Sequence, residues 1–146
     1  MQSSLRTSLL ALSLIPVLAF GQDSHGAGAL DTAKIETLTG AKGQMNPQEG
    51  VFKVSVPRSD LNVRAAGARM TPPLGLTTWA AFMPAGHDTM MMGDMVLTEG
   101  QVNAVMSVAL NNGLSVTALH NHFLWESPRV MFMHIGGMGG QDKLAG

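Results

Sequence analysis

The sequence predicts an α+β fold: a mainly antiparallel sheet of five or six strands, with one main helix at about residues 98–111 packed on one face. Short segments that alternate between apolar and polar residues predict the strands. One longer segment, with apolar residues at helical spacing, predicts the helix. The length of 146 residues suits a single domain with one core.

Residues 1–21 have the pattern of a signal peptide: a positive charge at Arg6, then an apolar run from Leu9 to Phe20. The run is shorter than the roughly 20 residues of a bilayer-spanning helix, so we expect no stable membrane anchor after cleavage. After the expected cleavage before Gln22, the product is a soluble protein exported to the periplasm, with a flexible segment at 22–29 and a single domain at 30–146.

The first half of the domain is expected to contain one short helix and four strands. Asp31 can cap a helix at 30–38, because its side chain can accept from the backbone of the first turn. Pro57 ends the first strand. The strands are expected at 51–56, 61–64, 75–83 and 89–97, with a turn at 84–88 between the last two.

The main helix has signals at both ends. Thr98 and Gln101 fit a capping box loosely, and Asn111-Asn112-Gly113 has the residues that end helices. The apolar face between them consists of Val102, Val105, Met106, Ala109 and Leu110.

The last elements are a strand at 114–123, a turn at 125–128, a strand at 130–135 and a glycine-rich loop at 136–140. Residues 141–145 have the pattern of a helix that has only begun. We therefore expect a truncated C-terminal helix and interpret the chain as a fragment of a longer protein.

Composition excludes several classes of function. The net charge of −1 and the lack of a basic cluster argue against nucleic-acid binding. The chain has no cysteine, which excludes disulfides, thiolate metal sites and cysteine nucleophiles. A bound metal would have to be held by histidine, carboxylate or methionine.

Three of the five histidines lie close together, at His120, His122 and His134. Residues two apart on a strand point to the same side. In the expected hairpin, His120 faces His134 and His122 faces Phe132, which places three imidazoles on one face. A register shifted by one residue would break this site.

Glu126, at the turn, is a candidate fourth ligand or a group that orients a ligand imidazole. Three nitrogens and a carboxylate suit zinc, iron, manganese or copper. With such a metal, the leading reaction class is metal-assisted hydrolysis. Glu126, His122 and Arg129 are the candidate catalytic residues, and Arg129 either binds an anionic substrate or pairs with Glu126.

Two alternatives stay open. The histidines can be partly buried polar residues of a non-catalytic module that binds a small molecule or an envelope partner. The chain also has 12 methionines, and thioethers together with imidazoles suit copper(I). Against copper, methionine fills cores readily, and Met91 must face away from Met90 and Met92 on a strand.

Four segments together resemble the LppY/LpqO family of bacterial exported proteins and lipoproteins: GVFKVSVPR (50–58), GLTTWAAF (75–82), residues 93–123 with NGLSVTALHNHF, and PRVMFMHIGG (128–137). The resemblance covers nearly all of the predicted mature chain. It implies one exported domain, and it supplies no catalytic assignment, because the biochemical function of that family is not established.

Overall fold

The computed structural model describes residues 28–146. The predicted signal peptide at 1–21 and most of the segment at 22–29 therefore lie outside the described residues. The helices are α1 (Thr32–Thr39), α2 (Glu99–Asn111) and α3 (Gln141–Ala145), with a 3-10 turn at Pro72–Leu74. The strands are β1 (Gly43–Asn46), β2 (Val51–Pro57), β3 (Arg64–Ala65), β4 (Ala68–Arg69), β5 (Thr77–Ala85), β6 (Asp88–Thr98), β7 (Ser115–His120), β8 (Glu126–Ser127) and β9 (Val130–Gly139).

The α+β prediction is confirmed. Six strands form one antiparallel sheet in the order β1-β2-β5-β6-β9-β7. The longest strands, β6 and β9, lie next to each other and pair over ten residues, from Thr89 with Gly139 to Thr98 with Val130. The middle of the sheet is therefore its most extensively hydrogen-bonded part.

The helices pack on one face of this sheet. α2 begins with the predicted capping box between Thr98 and Gln101, and Asp31 caps α1 by accepting from the Lys34 backbone. Leu110, which the sequence places on the buried face of α2, is 53% exposed. The buried core on this side includes Ile35, Phe52, Val54, Phe82, Met91, Leu97, Val102, Ala109, Met133 and Ile135.

A second layer, not expected from the sequence, covers part of the opposite face. It contains a three-stranded sheet in the order β4-β3-β8, in which each strand has only two residues. Val63 and Leu76 from this side pack against the large sheet in a second core, completed by Val96, Val130 and Phe132. The uncovered part of that face carries Asp94 and His134, which are described below.

Three predicted segments differ from the structure. The expected strand at 61–64 is only Arg64–Ala65, and the expected turn at 125–128 contains the short strand β8. The expected glycine loop at 136–140 is the second half of β9, which continues to Gly139. Position 137 favours glycine, because a Cβ atom there would lie 2.9 Å from the side chains of both Leu114 and Leu144. Gly137 thus allows these two leucine side chains to approach the sheet, whereas the sequence pattern predicted a loop at 136–140.

None of the helices formed by residues 28–146 is both long and apolar enough to cross a membrane.

Candidate functional site

The predicted hairpin register is wrong by two residues. His120 is the partner of Phe132, and His134 is the partner of Ala118. The expected tight turn between the two strands does not form, because residues 126–127 pair with β3 instead. β7 also ends at His120, so His122 lies beyond the strand rather than opposite Phe132. A shift of two residues preserves the side to which each residue points. The histidine side chains consequently still meet, diagonally across the two strands.

The two strand histidines are in direct contact. Nε2 of His120 lies 3.1 Å from Nε2 of His134, with the rings edge to face. Two nitrogens bound to one tetrahedral zinc ion at about 2.0–2.1 Å lie roughly 3.3 Å apart. The observed separation therefore suits either an N–H···N hydrogen bond between the two rings or two ligands of one ion.

His122 is held by stacking. Its ring lies parallel to that of Phe132 with centroids 3.4 Å apart, and the ring of His120 is stacked against it at 5.1 Å. Burial lowers the pKa of His122, and the nearby His120 and His134 act in the same direction, while Asp94 opposes them. His122 is therefore uncharged near neutral pH, with a free lone pair on one ring nitrogen.

Asp94 is the site residue that the sequence analysis missed. It lies in the middle of β6, and it is the direct cross-strand partner of His134. Its Oδ2 is 3.8 Å from Nε2 of His134, and its side chain is only 13% exposed. Its Oδ1 is buried and has no hydrogen-bond partner within residues 28–146. A buried, unsatisfied carboxylate oxygen beside two imidazoles requires an explanation, such as a bound ion or water.

Glu126 and Arg129 pair with each other. Nε of Arg129 is 3.7 Å from Oε1 of Glu126, whose side chain is fully buried. Glu126 belongs to the small sheet, opposite Ala65, and no hydrogen bond or ion pair joins it to a histidine in the described part of the chain. Of the two roles predicted for Arg129, the structure favours pairing with Glu126. The assignment of Glu126 as a metal ligand stays a prediction.

The arrangement brings His120, His134 and Asp94 together, and the ring of His122 is stacked against that of His120. Within residues 28–146, no three histidine or carboxylate side chains already converge in the geometry of a metal site. The two imidazole nitrogens are in place, whereas the Asp94 carboxylate would need to rotate toward them. The group can bind a cation, or one imidazole can pass a proton to the other.

Comparison with known proteins adds a family and little else. A family model described as Domain of Unknown Function (DUF1259) matches residues 33–146. No curated protein and no solved structure matches the chain. The likeness to the LppY/LpqO family stays a prediction.

Proposed function

We propose that this chain, which belongs to the DUF1259 family of domains of unknown function, binds a divalent transition-metal ion through His120, His134 and Asp94. The observation that supports this most strongly is the cluster of two imidazole nitrogens 3.1 Å apart beside a carboxylate with an unsatisfied buried oxygen. We also propose, from the pattern at residues 1–21, that the protein is exported to the periplasm.

The donor set restricts the metal. Imidazole is a borderline ligand and carboxylate a hard one, and two imidazoles with one carboxylate suit zinc and iron(II), and also manganese or copper(II). Three protein ligands leave at least one coordination position for water or substrate, as in catalytic rather than structural zinc sites. We therefore propose metal-assisted hydrolysis as the first reaction class to test, with neutral His122 as the neighbouring acid–base group.

A non-catalytic binding module is the second candidate. Leu124 and Trp125 are 72% and 81% exposed, directly after the histidine segment. Together with Phe123, Ala65 and Ala66 they line a cavity of about 250 Å³. Large exposed apolar side chains of this kind mark ligand or partner surfaces. This function is favoured if the zinc titration described next shows no binding.

Asp94→Asn is the sharpest single test of the proposed ligand set. The amide keeps the shape of the side chain but removes its charge, so we expect Zn²⁺ affinity to fall by about 10- to 100-fold. Isothermal titration of protein purified without an affinity tag measures this. Without metal, the variant should lose no more than about 1 kcal/mol of unfolding free energy, because the contact of Asp94 with His134 is long, at 3.8 Å, and the His134 side chain is 41% exposed.

Asp88→Asn is the matched control, because Asp88 is an exposed residue at the start of the same strand. It should bind Zn²⁺ as the wild type does. Equal Zn²⁺ affinities in the wild type and in Asp94→Asn would show that Asp94 is not a ligand.

A further inference from the structure

Four methionines, three of them exposed and one half-buried, lie on the same face of the large sheet as His134 and Asp94. Met83, Met90 and Met138 are direct cross-strand partners on the neighbouring strands β5, β6 and β9. Side chains directly opposite each other have Cβ atoms about 4.5–5.5 Å apart and point to the same side. Three thioethers therefore form a row across three strands.

Met92 adds a fourth thioether to the row. It lies two residues after Met90 on β6, so it points to the same side. Its partner on β9 is Gly136, which has no side chain and leaves space beside the sulfur. Met90, Met92 and Met138 line a cavity of about 230 Å³ at this position. We call Met83, Met90, Met92 and Met138 the methionine cluster.

Core packing does not account for this cluster. Met91 and Met133 point to the other side of the sheet and are 2% and 0% exposed, as expected for methionines that fill a core. Met83, Met92 and Met138 are instead 39%, 49% and 64% exposed. Apolar side chains that gather at the surface, without burial to stabilise them, suggest a ligand.

We infer that the methionine cluster is a binding site for copper(I). Thioether sulfur is a soft, uncharged ligand that prefers copper(I) to zinc or to other divalent ions. The cluster offers three or four such ligands on adjacent strands and no carboxylate. It adjoins the histidine site, because the pair Met92–Gly136 is followed on the same face by Asp94–His134. The inference does not depend on the proposed function, since the two ligand sets share no residue.

A competition titration tests this inference. The protein is titrated with copper(I) under anaerobic conditions against a chromophoric copper(I) chelator, and with silver(I) as a stand-in that is not readily oxidised. Replacing all four residues in a Met83→Leu/Met90→Leu/Met92→Leu/Met138→Leu variant keeps apolar side chains of similar volume. We expect copper(I) and silver(I) affinity to fall by at least about 100-fold. Loss of a residue that only orients a metal ligand already lowers metal affinity by about 10- to 100-fold, and this variant removes the ligands themselves.

Two controls make the result specific. Met45→Leu changes a methionine that is 44% exposed on β1, outside the cluster, and should leave copper(I) affinity unchanged. The quadruple variant should bind Zn²⁺ as the wild type does, which separates this site from the histidine site. If the quadruple variant does not fold, Met92→Leu and Met138→Leu singly should each weaken copper(I) binding.

Wild-type protein that does not compete with the chelator would overturn the inference. The same follows if the leucine variants bind copper(I) as tightly as the wild type. The methionine cluster would then be an apolar surface for a protein partner.

Discussion

Replacing both His120 and His134 by alanine should lower Zn²⁺ affinity by at least about 100-fold, because the variant lacks two of the three proposed protein ligands. Loss of a residue that only orients a ligand already lowers metal affinity by about 10- to 100-fold. Neither change should unfold the protein, since both histidines are only partly buried at the uncovered part of the sheet. The measurement is isothermal titration, with the zinc content of the desalted protein determined in parallel.

His87→Ala is the control for this variant, because His87 is an exposed histidine in the turn between β5 and β6. It should leave zinc binding unchanged, which excludes a nonspecific contribution of surface imidazoles. Stoichiometric zinc in the His120→Ala/His134→Ala variant would contradict the proposed site.

Replacing Phe132 by alanine should lower the free energy of unfolding by about 3–5 kcal/mol, the usual range for removal of a buried phenylalanine side chain. Phe132 is 1% exposed and lies in the second core between the large and small sheets. Its ring also supports His122 by stacking. Urea unfolding measures the loss of stability, and zinc titration at low urea measures the effect on the site.

Phe52→Ala separates the two effects. Phe52 is 4% exposed in the core on the helix side, away from the histidines. It should lose a similar amount of stability, while the folded fraction keeps its zinc affinity. Phe132→Ala should lose both stability and zinc affinity. If Phe132→Ala is too unstable to study, Phe132→Leu should show a smaller loss of each. A Phe132→Leu variant with wild-type stability would refute the role given to this ring.

The parts of the fold with local signals could be predicted from the sequence. The capping box of α2, the cap at Asp31 and the strands around the β5–β6 turn all depend on residues close in the chain, and they are present. The small sheet could not be predicted, because a two-residue strand such as Arg64–Ala65 has no periodicity to detect. Its formation depends on a long-range partner in β8.

The candidate site, too, could be predicted only where it depends on local patterns in the chain. Strand alternation, together with the expected pairing of the two strands, placed His120 and His134 on one side. The exact register depended on the loop between β7 and β9, where β8 pairs with the distant β3, and this pairing has no local signal. Asp94 is 40 positions from His134 in the chain, so only the pairing of β6 with β9 brings them together. An acidic residue flanked by apolar ones in the middle of the strand DTMMMGDMVLT was the one available indication.

X-ray absorption at the zinc edge of the zinc-loaded protein tests the central claim most directly, because it identifies the atoms around the metal. We expect scattering from two imidazole rings at about 2.0–2.1 Å together with oxygen ligands, and loss of the imidazole signal in the His120→Ala/His134→Ala variant. A zinc ion surrounded only by oxygen, or by sulfur from the methionine cluster, would contradict a site made by His120, His134 and Asp94.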